Sequence, residues 1–307
     1  MNSTFSQTLL DFPDLFHAIQ MAEVFEDSKT ATDCSPKRDL SAIYADFLEL
    51  ADLNKTTLQK FVGENFDLPS TDLPVFETTK KGQPLAHIHQ LWDYLTREIK
   101  APVSGSTYLP LPYPFVVPGG RFQEIYYWDS YFTLLGLKKA EKWELIEQMI
   151  ANFAHLIRTY GFIPNGNRTY FLSRSQPPFF SCMVDLLPIS QQSIYLPELE
   201  KEYNFWMKTT SEKSTNDFER VVEVEPTKLL NRYWDNSPTP RPESYREDLE
   251  LAAQNPGRTA ADIYLNLRAA CESGWDFSSR WLADNISLGT IETTHILPVD
   301  LNCLLYK

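Results

Sequence analysis

Residues 118–132 read PGGRFQEIYYWDSYF, which sets two carboxylates, an arginine, a glycine pair and six aromatic rings within fifteen positions. Gly119 and Gly120 can take backbone angles that other residues resist, so a turn accounts for them. It does not account for rings interleaved with charge. Aromatic faces beside Arg and Asp suit a ligand with apolar faces and polar edges, where the ring covers C–H groups and the charged group meets hydroxyls. Sugars have that character. The alternative is a plain helix entry, with Asp129 as its cap, Trp128 and Tyr131 packing, and Arg121 paired with Glu124 on the surface.

Working outward, 307 residues that are 43% hydrophobic and 13% aromatic can build a sizeable core. A formal charge of -13 argues against nucleic acid, since phosphate binding needs a basic surface. The first residues, MNSTFSQTLLDFPDLF, lack a basic segment followed by an apolar run and cleavage site, so the expectation is a protein that is not exported. No apolar run is long enough to span a membrane. Cys34, Cys182, Cys271 and Cys303 have no CxxC spacing and read as free thiols of a reducing cytoplasm. The sequons at Asn2, Asn54, Asn167 and Asn285 then read as chance.

The dominant period is helical. Ile88, Leu91, Trp92, Leu95 and Ile99 fall on one helix face, as do Ile146, Met149, Ile150, Phe153, Ile157 and Tyr160, with Gly161 as a stop. Further helices are expected near Leu40–Leu50, Leu196–Met207, Glu243–Gln254 and Thr259–Cys271. The main strand signal is RVVEVEPTKLLNRYWD, residues 220–235, where Val222 and Val224 alternate with acids before a Pro-Thr turn; a short hairpin between helices is expected there. Residues 101–120 carry five prolines and read as an extended connector into the opening motif. His87 and His89 lie on opposite sides of a helix without a carboxylate at ligand spacing, so neither a metal nor another cofactor is expected.

Three more segments share the chemistry of the first. IPNGNRTYFLSRSQPPFF, residues 163–180, offers Asn165, Arg168, Arg174 and Gln176 among rings. TPRPESYRED, residues 239–248, places Arg241 and Glu243 just before a helix whose Ser244 and Glu247 have capping-box spacing. ESGWDFSSRW, residues 272–281, sets Asp276 between Trp275 and Phe277. An acid between two rings is partly desolvated, which raises its pKa and lets it deliver a proton near neutral pH. Read singly, each segment also fits a polar loop or a helix start.

Together, in order and spacing, PGGRFQEIYYWDSYF, NRTYFLSRSQPP, RPESYRED and ESGWDFSSRW closely resemble the motifs of the trehalase family of glycoside hydrolases. The resemblance implies an all-α (α/α)6 barrel, or toroid, and hydrolysis of α,α-trehalose by water to two glucose molecules, with inversion at one anomeric carbon. It implies Asp276 as general acid, with Arg121, Phe122, Trp128, Asp129, Asn165, Arg174, Gln176, Arg241, Glu243 and Gly274 lining the sugar subsites. By this reading an arginine near Asp129 keeps that carboxylate ionised, so that it grips hydroxyls. With no leader seen, the chain resembles the cytoplasmic type.

The family's second signature, a QWD-type segment, and its glycine-rich region with the catalytic base are not found in the sequence. The expectation is therefore a chain carrying the N-terminal part of such an enzyme. Residues 1–100 would form an N-terminal helical extension and residues 101–307 the first part of the barrel, with the hairpin as an insertion. Activity of this chain alone is then doubtful, and a catalytically silent sugar-binding remnant is the alternative.

Overall fold

Side chains at the helix starts set the boundaries of the N-terminal region in the computed structural model, which describes residues 6–69, 82–99, 101, 104–208 and 220–307. Pro13 opens α1 (Pro13–Met21). Asp27, Asp39 and Asn54 cap α2 (Ser28–Asp33), α3 (Leu40–Leu48) and α4 (Lys55–Asn65), each side chain accepting the amide three residues on. Between them β1 (Ser35–Pro36) pairs antiparallel with β2 (Phe66–Asp67). After α5 (Pro84–Leu95), β3 (Thr96–Arg97) pairs with β4 (Phe115–Val116), so the proline-rich connector returns to the helix it left. Ile99 lies beyond the end of α5.

The centre is α6 (Tyr127–Lys139) against α7 (Trp143–Tyr160). Ile146, Met149, Ile150, Phe153 and Ile157 are fully buried along one face of α7, at the spacing the sequence shows, and each such side chain contributes about 1.5–3 kcal/mol. Gly161 ends the helix at φ 88, the left-handed conformation that glycine takes without strain. Then follow α8 (Phe180–Val184), α9 (Ile189–Gln192) and α10 (Leu196–Met207). The expected hairpin is present as β5 (Val221–Glu225) and β6 (Lys228–Asn231), with Glu225 opposite Lys228 across the Pro226–Thr227 turn. The chain continues through α11 (Tyr245–Gln254), α12 (Ala260–Glu272) and α13 (Val299–Tyr306). Among the described residues the strands are these three short pairs, and the fold is predominantly helical, as an (α/α)6-type architecture requires.

Three apolar clusters hold it together: α1–α4, then α6–α8 with β4, then α10 and α12 with Tyr233 and Trp281. The first is not a separate lobe. Phe16 packs edge-on against Tyr245 at 5.1 Å, Thr32 donates to the Pro242 carbonyl at 2.8 Å, and the Ser28 hydroxyl donates to Glu247 at 2.8 Å. That last bond corrects an expectation. Ser244 and Glu247 have capping-box spacing, but Ser244 makes no side-chain cap, because α2 docks there and takes the Glu247 carboxylate.

Candidate active site

The four motif segments converge on one open cavity of about 360 Å³, a size within the roughly 300–1,000 Å³ of small-molecule clefts. All eleven residues singled out in the sequence lie on its wall: Arg121 and Phe122 on the loop before α6, Trp128 and Asp129 on the first turn of α6, Asn165, Arg174 and Gln176 on the loops between α7 and α8, Arg241 and Glu243 before α11, and Gly274 and Asp276 after α12. Each stands at an element end. Backbone hydrogen bonds lace those ends together, with the Tyr127 amide donating to the Asn165 carbonyl at 3.2 Å and the Asn165 amide to the Arg174 carbonyl at 3.1 Å.

The polar centre is built on arginine. Arg174, fully buried, donates through Nε to Asn165 Oδ1 at 2.9 Å and through Nη2 to Glu243 Oε1 at 2.6 Å. Arg241 is fixed by Asp248, which accepts from its backbone amide, its Nε and its Nη2 at 2.8, 3.0 and 2.5 Å, and its Nη1 reaches Cys271 Sγ at 3.0 Å. Two buried atoms of this polar centre have no hydrogen-bond partner: Glu243 Oε2, and Arg174 Nη1, which keeps a looser ion pair with Asp235 Oδ2 at 3.8 Å. A buried acceptor without a hydrogen bond, such as Glu243 Oε2, costs free energy, and it belongs to a residue of the cavity wall.

The carboxylates differ in state. Burial would raise Glu243, but Arg174 and Arg241 outweigh it and hold its carboxyl below the ordinary value. Asp276, although exposed at the cavity, is raised, because desolvation by the surrounding protein exceeds the pull of Arg174 and Arg241. Asp129 is also raised by desolvation, against hydrogen bonds from its own backbone and from Gln176. The arginine expected beside Asp129 thus acts on Glu243 instead. Nor does Asp129 cap α6, whose N-cap is Tyr126 without a side-chain bond.

Aromatic rings frame the mouth. Trp128 tilts against Trp275 at 5.7 Å, Arg241 stands over Phe277 at 5.0 Å, and Phe122 meets Tyr126 edge-on at 5.8 Å. Gly274, at φ 68, lets the chain pass so close to Trp128 that a Cβ there would lie 2.4 Å from the ring.

Two residues of the motifs go elsewhere. Glu124 does not pair with Arg121 on the surface: it is buried, accepting from Lys29 Nζ at 2.9 Å and from Arg168 Nε at 2.7 Å. Asp33 completes this cluster through Lys29, through Arg168 at 3.3 Å and through the Tyr170 hydroxyl at 2.9 Å. Arg168, grouped with Arg174 in the sequence, therefore binds protein and not the cavity. Glu272 is equally committed, accepting the Ser175 and Trp234 amides at 2.8 and 2.7 Å and pairing with Arg220. Sequence reasoning missed Lys29, Phe171 and Cys271 on the cavity wall. Phe171 sits inside a quoted motif; Lys29 carries no local signal beyond its four-residue spacing from Asp33.

A family model described as Trehalase matches residues 7–307. This chain belongs to the trehalase family. The trehalase relatives include periplasmic trehalases of Escherichia coli O8 (strain IAI1) and Shigella flexneri serotype 5b (strain 8401), each 48% identical over 299 residues, covering 95% of this chain and 53% of the relative. The chain spans about half the length of the curated trehalases it matches. Among solved structures, the neutral trehalase Nth1 from Saccharomyces cerevisiae is 30% identical, with a TM-score of 0.47, covering 63% of this chain and 38% of that one. The expectation of a cytoplasmic type is corrected here, because the relatives at 48% identity are named periplasmic. An export signal sought in the opening residues was the wrong guide, and the free thiols of Cys34, Cys182, Cys271 and Cys303 do not distinguish the compartments. No helix among the described residues is long and apolar enough to cross a membrane.

Proposed function

We propose that the cavity is the sugar site of an inverting α,α-trehalase, in which Asp276 protonates the glycosidic oxygen. The supporting observation is the split between carboxylates on one wall: Asp276 raised by desolvation while exposed at the open cavity, Glu243 kept ionised by two arginines. Carboxyl groups pushed apart in pKa are how one site holds an acid beside an anion. Arg174, Arg241, Asn165, Gln176, Asp129 and Glu243 would bind hydroxyls, with Trp128 and Phe122 against C–H faces and Gly274 giving clearance. Arg121 stands over Phe122 at 5.0 Å, where it would close the rim over bound sugar. The helices of residues 1–100 would belong to this site as well as extending from it, through Lys29.

Inversion also needs a carboxylate that activates water across the sugar, about 6.5–9.5 Å from the acid. Glu243 is bound to Arg174, while Glu124 and Glu272 are enclosed by protein donors. That base would come from the portion of the longer relatives that this chain does not match. The 307-residue chain alone is then expected to bind trehalose without enzymatic turnover. The test is glucose release from trehalose, maltose and cellobiose by the chain alone and by the chain mixed with the C-terminal half of a periplasmic trehalase. Release from trehalose in the mixture only is the expected result. Equal release from all three sugars would reject the substrate, and robust turnover by the chain alone would reject the division of acid and base.

A further inference from the structure

Behind the cavity, three elements meet at one hydroxyl. Tyr127 is the first residue of α6, directly before Trp128 and Asp129, and its side chain is fully buried. Its oxygen accepts the Phe180 amide at 2.8 Å, where α8 begins, and its O–H donates to Glu202 of α10, itself buried. The strap that ends at Phe180 carries Arg174 and Gln176. Gln176 Oε1 accepts the Trp128 amide at 3.1 Å, and Phe179 stacks on Tyr131 at 4.9 Å. One hydroxyl thus ties the helix start that presents Trp128 and Asp129 to the strap that presents Arg174 and Gln176.

We propose that Glu202 and Tyr127 form a positioning pair for the sugar cavity: Glu202 orients the Tyr127 hydroxyl, and the hydroxyl holds the strap through the Phe180 amide. The inference rests on the cavity being the sugar site, but neither residue lines it. A buried acid calls for a partner of its own, and Tyr127 supplies one. The other charged groups nearby are engaged elsewhere. Glu198, one turn earlier on α10, accepts from Arg158 of α7 at 2.6 Å, and Cys182 of α8 faces Tyr127 and is approached by Lys307 Nζ at 3.4 Å.

The pair titrates. Burial pushes Glu202 up to about 7, against the Tyr127 hydrogen bond, which lowers it. Ionised, Glu202 only accepts, so Tyr127 must donate to it and leaves its oxygen to the Phe180 amide. Protonated, Glu202 can donate to that oxygen and share it with the amide. The tie therefore tightens as pH rises through about 7. Global stability moves the other way. Between 4.5 and about 7 the folded chain holds a proton that the unfolded chain has released, so stability falls with rising pH across that window.

Two readouts on the full chain test the proposal: trehalose affinity by calorimetry, and exchange of the Phe180 amide, corrected for intrinsic rate, between about pH 6 and about pH 8. In the parent chain affinity and protection are expected to increase together with a midpoint near 7. Glu202→Gln keeps an acceptor and removes the titration, so both profiles flatten while affinity at the upper pH stays within about threefold. Glu202→Leu removes the acceptor, and about tenfold losses in affinity and protection are expected. Should Glu202→Leu fail to fold, Tyr127→Phe keeps the ring and removes the oxygen that holds Phe180, with the same expected losses. Folded Glu202→Leu or Tyr127→Phe protein with parental Phe180 exchange overturns the proposal. A parent chain that binds no trehalose yet shows these exchange changes tells instead against the sugar reading, and the pair stands.

Discussion

Two buried arginine–carboxylate clusters lie side by side in this fold, and they differ in whether the protein finishes them. Arg168, Lys29, Glu124 and Asp33 bond to one another and to Thr107 and Tyr170, and none of their buried polar atoms lacks a partner. Arg174 and Glu243 bond to each other at 2.6 Å, yet Glu243 Oε2 has no hydrogen-bond partner and Arg174 Nη1 has only an ion pair with Asp235 at 3.8 Å. The first cluster joins α2 to the loop before α6, a task that is complete once the chain folds. The second leaves hydrogen-bonding capacity unused on two residues of the cavity wall. Two arginines six residues apart in one motif thus have opposite destinations, and the unpaired atom distinguishes them better than residue type does.

The largest expected effect falls on the cavity side. In an enzyme completed by the second half of a trehalase, Asp276→Asn removes the proposed proton donor but keeps its shape, and turnover is expected to fall by about 10²–10⁴ with trehalose affinity largely kept. Stopped assays of glucose release beside calorimetry check this, and near-normal turnover would remove Asp276 from the chemistry. Next comes a crossed pair of substitutions. Arg168→Met leaves Glu124 and Asp33 buried with one fewer cation, and a loss of about 3–5 kcal/mol in unfolding free energy is expected, with unaltered affinity in the folded fraction. Arg174→Met is expected to cost about 2 kcal/mol of trehalose binding, through its lost donors and the freed Glu243, besides a stability loss from the carboxylates it leaves buried. Denaturant titration and calorimetry on both variants would break the comparison if each affected both quantities equally.

The helices were legible because their signals are local. α10 spans Leu196–Met207 as its periodicity indicates, and Thr259 caps α12 by accepting the Asp262 amide at 3.2 Å. The hairpin at 221–231 follows from alternation around a turn. The cavity wall was legible for another reason, since its residues cluster in four motifs that pair rings with charge. What was not legible depends on contacts far apart in the chain. Glu124 meets a lysine 95 positions away, and Glu247 is taken from its expected cap by a serine 219 positions away. Lys29 on the cavity wall has no neighbour in sequence that shares its task. The split between Arg168 and Arg174 needs the docking of α2, which periodicity does not encode.

The smallest effect concerns a difference in how the clusters hold their shape. The buried quartet is fixed by side-chain bonds, whereas the cavity rim depends on a backbone approach at Gly274. There φ is 68, and a Cβ would lie 2.4 Å from Cε2 of Trp128. Gly274→Ala meets two costs: a left-handed backbone that L-residues adopt at about 1 kcal/mol or more, and a tryptophan ring that must move. The ring has somewhere to go, because Trp128 is only half-buried and faces Trp275 across the mouth at 5.7 Å. The expected result is about 1–2 kcal/mol of lost stability, a changed tryptophan emission spectrum, and trehalose affinity reduced by several fold. Restoring size at the other partner discriminates the causes. Trp128→Phe in the Gly274→Ala background relieves the clash but leaves the backbone strain, so recovery of part of the stability separates ring displacement from φ. If the double variant is no more stable than the single one, the rim is limited by backbone conformation alone, and the close packing of Trp128 on Gly274 does not hold the cavity open.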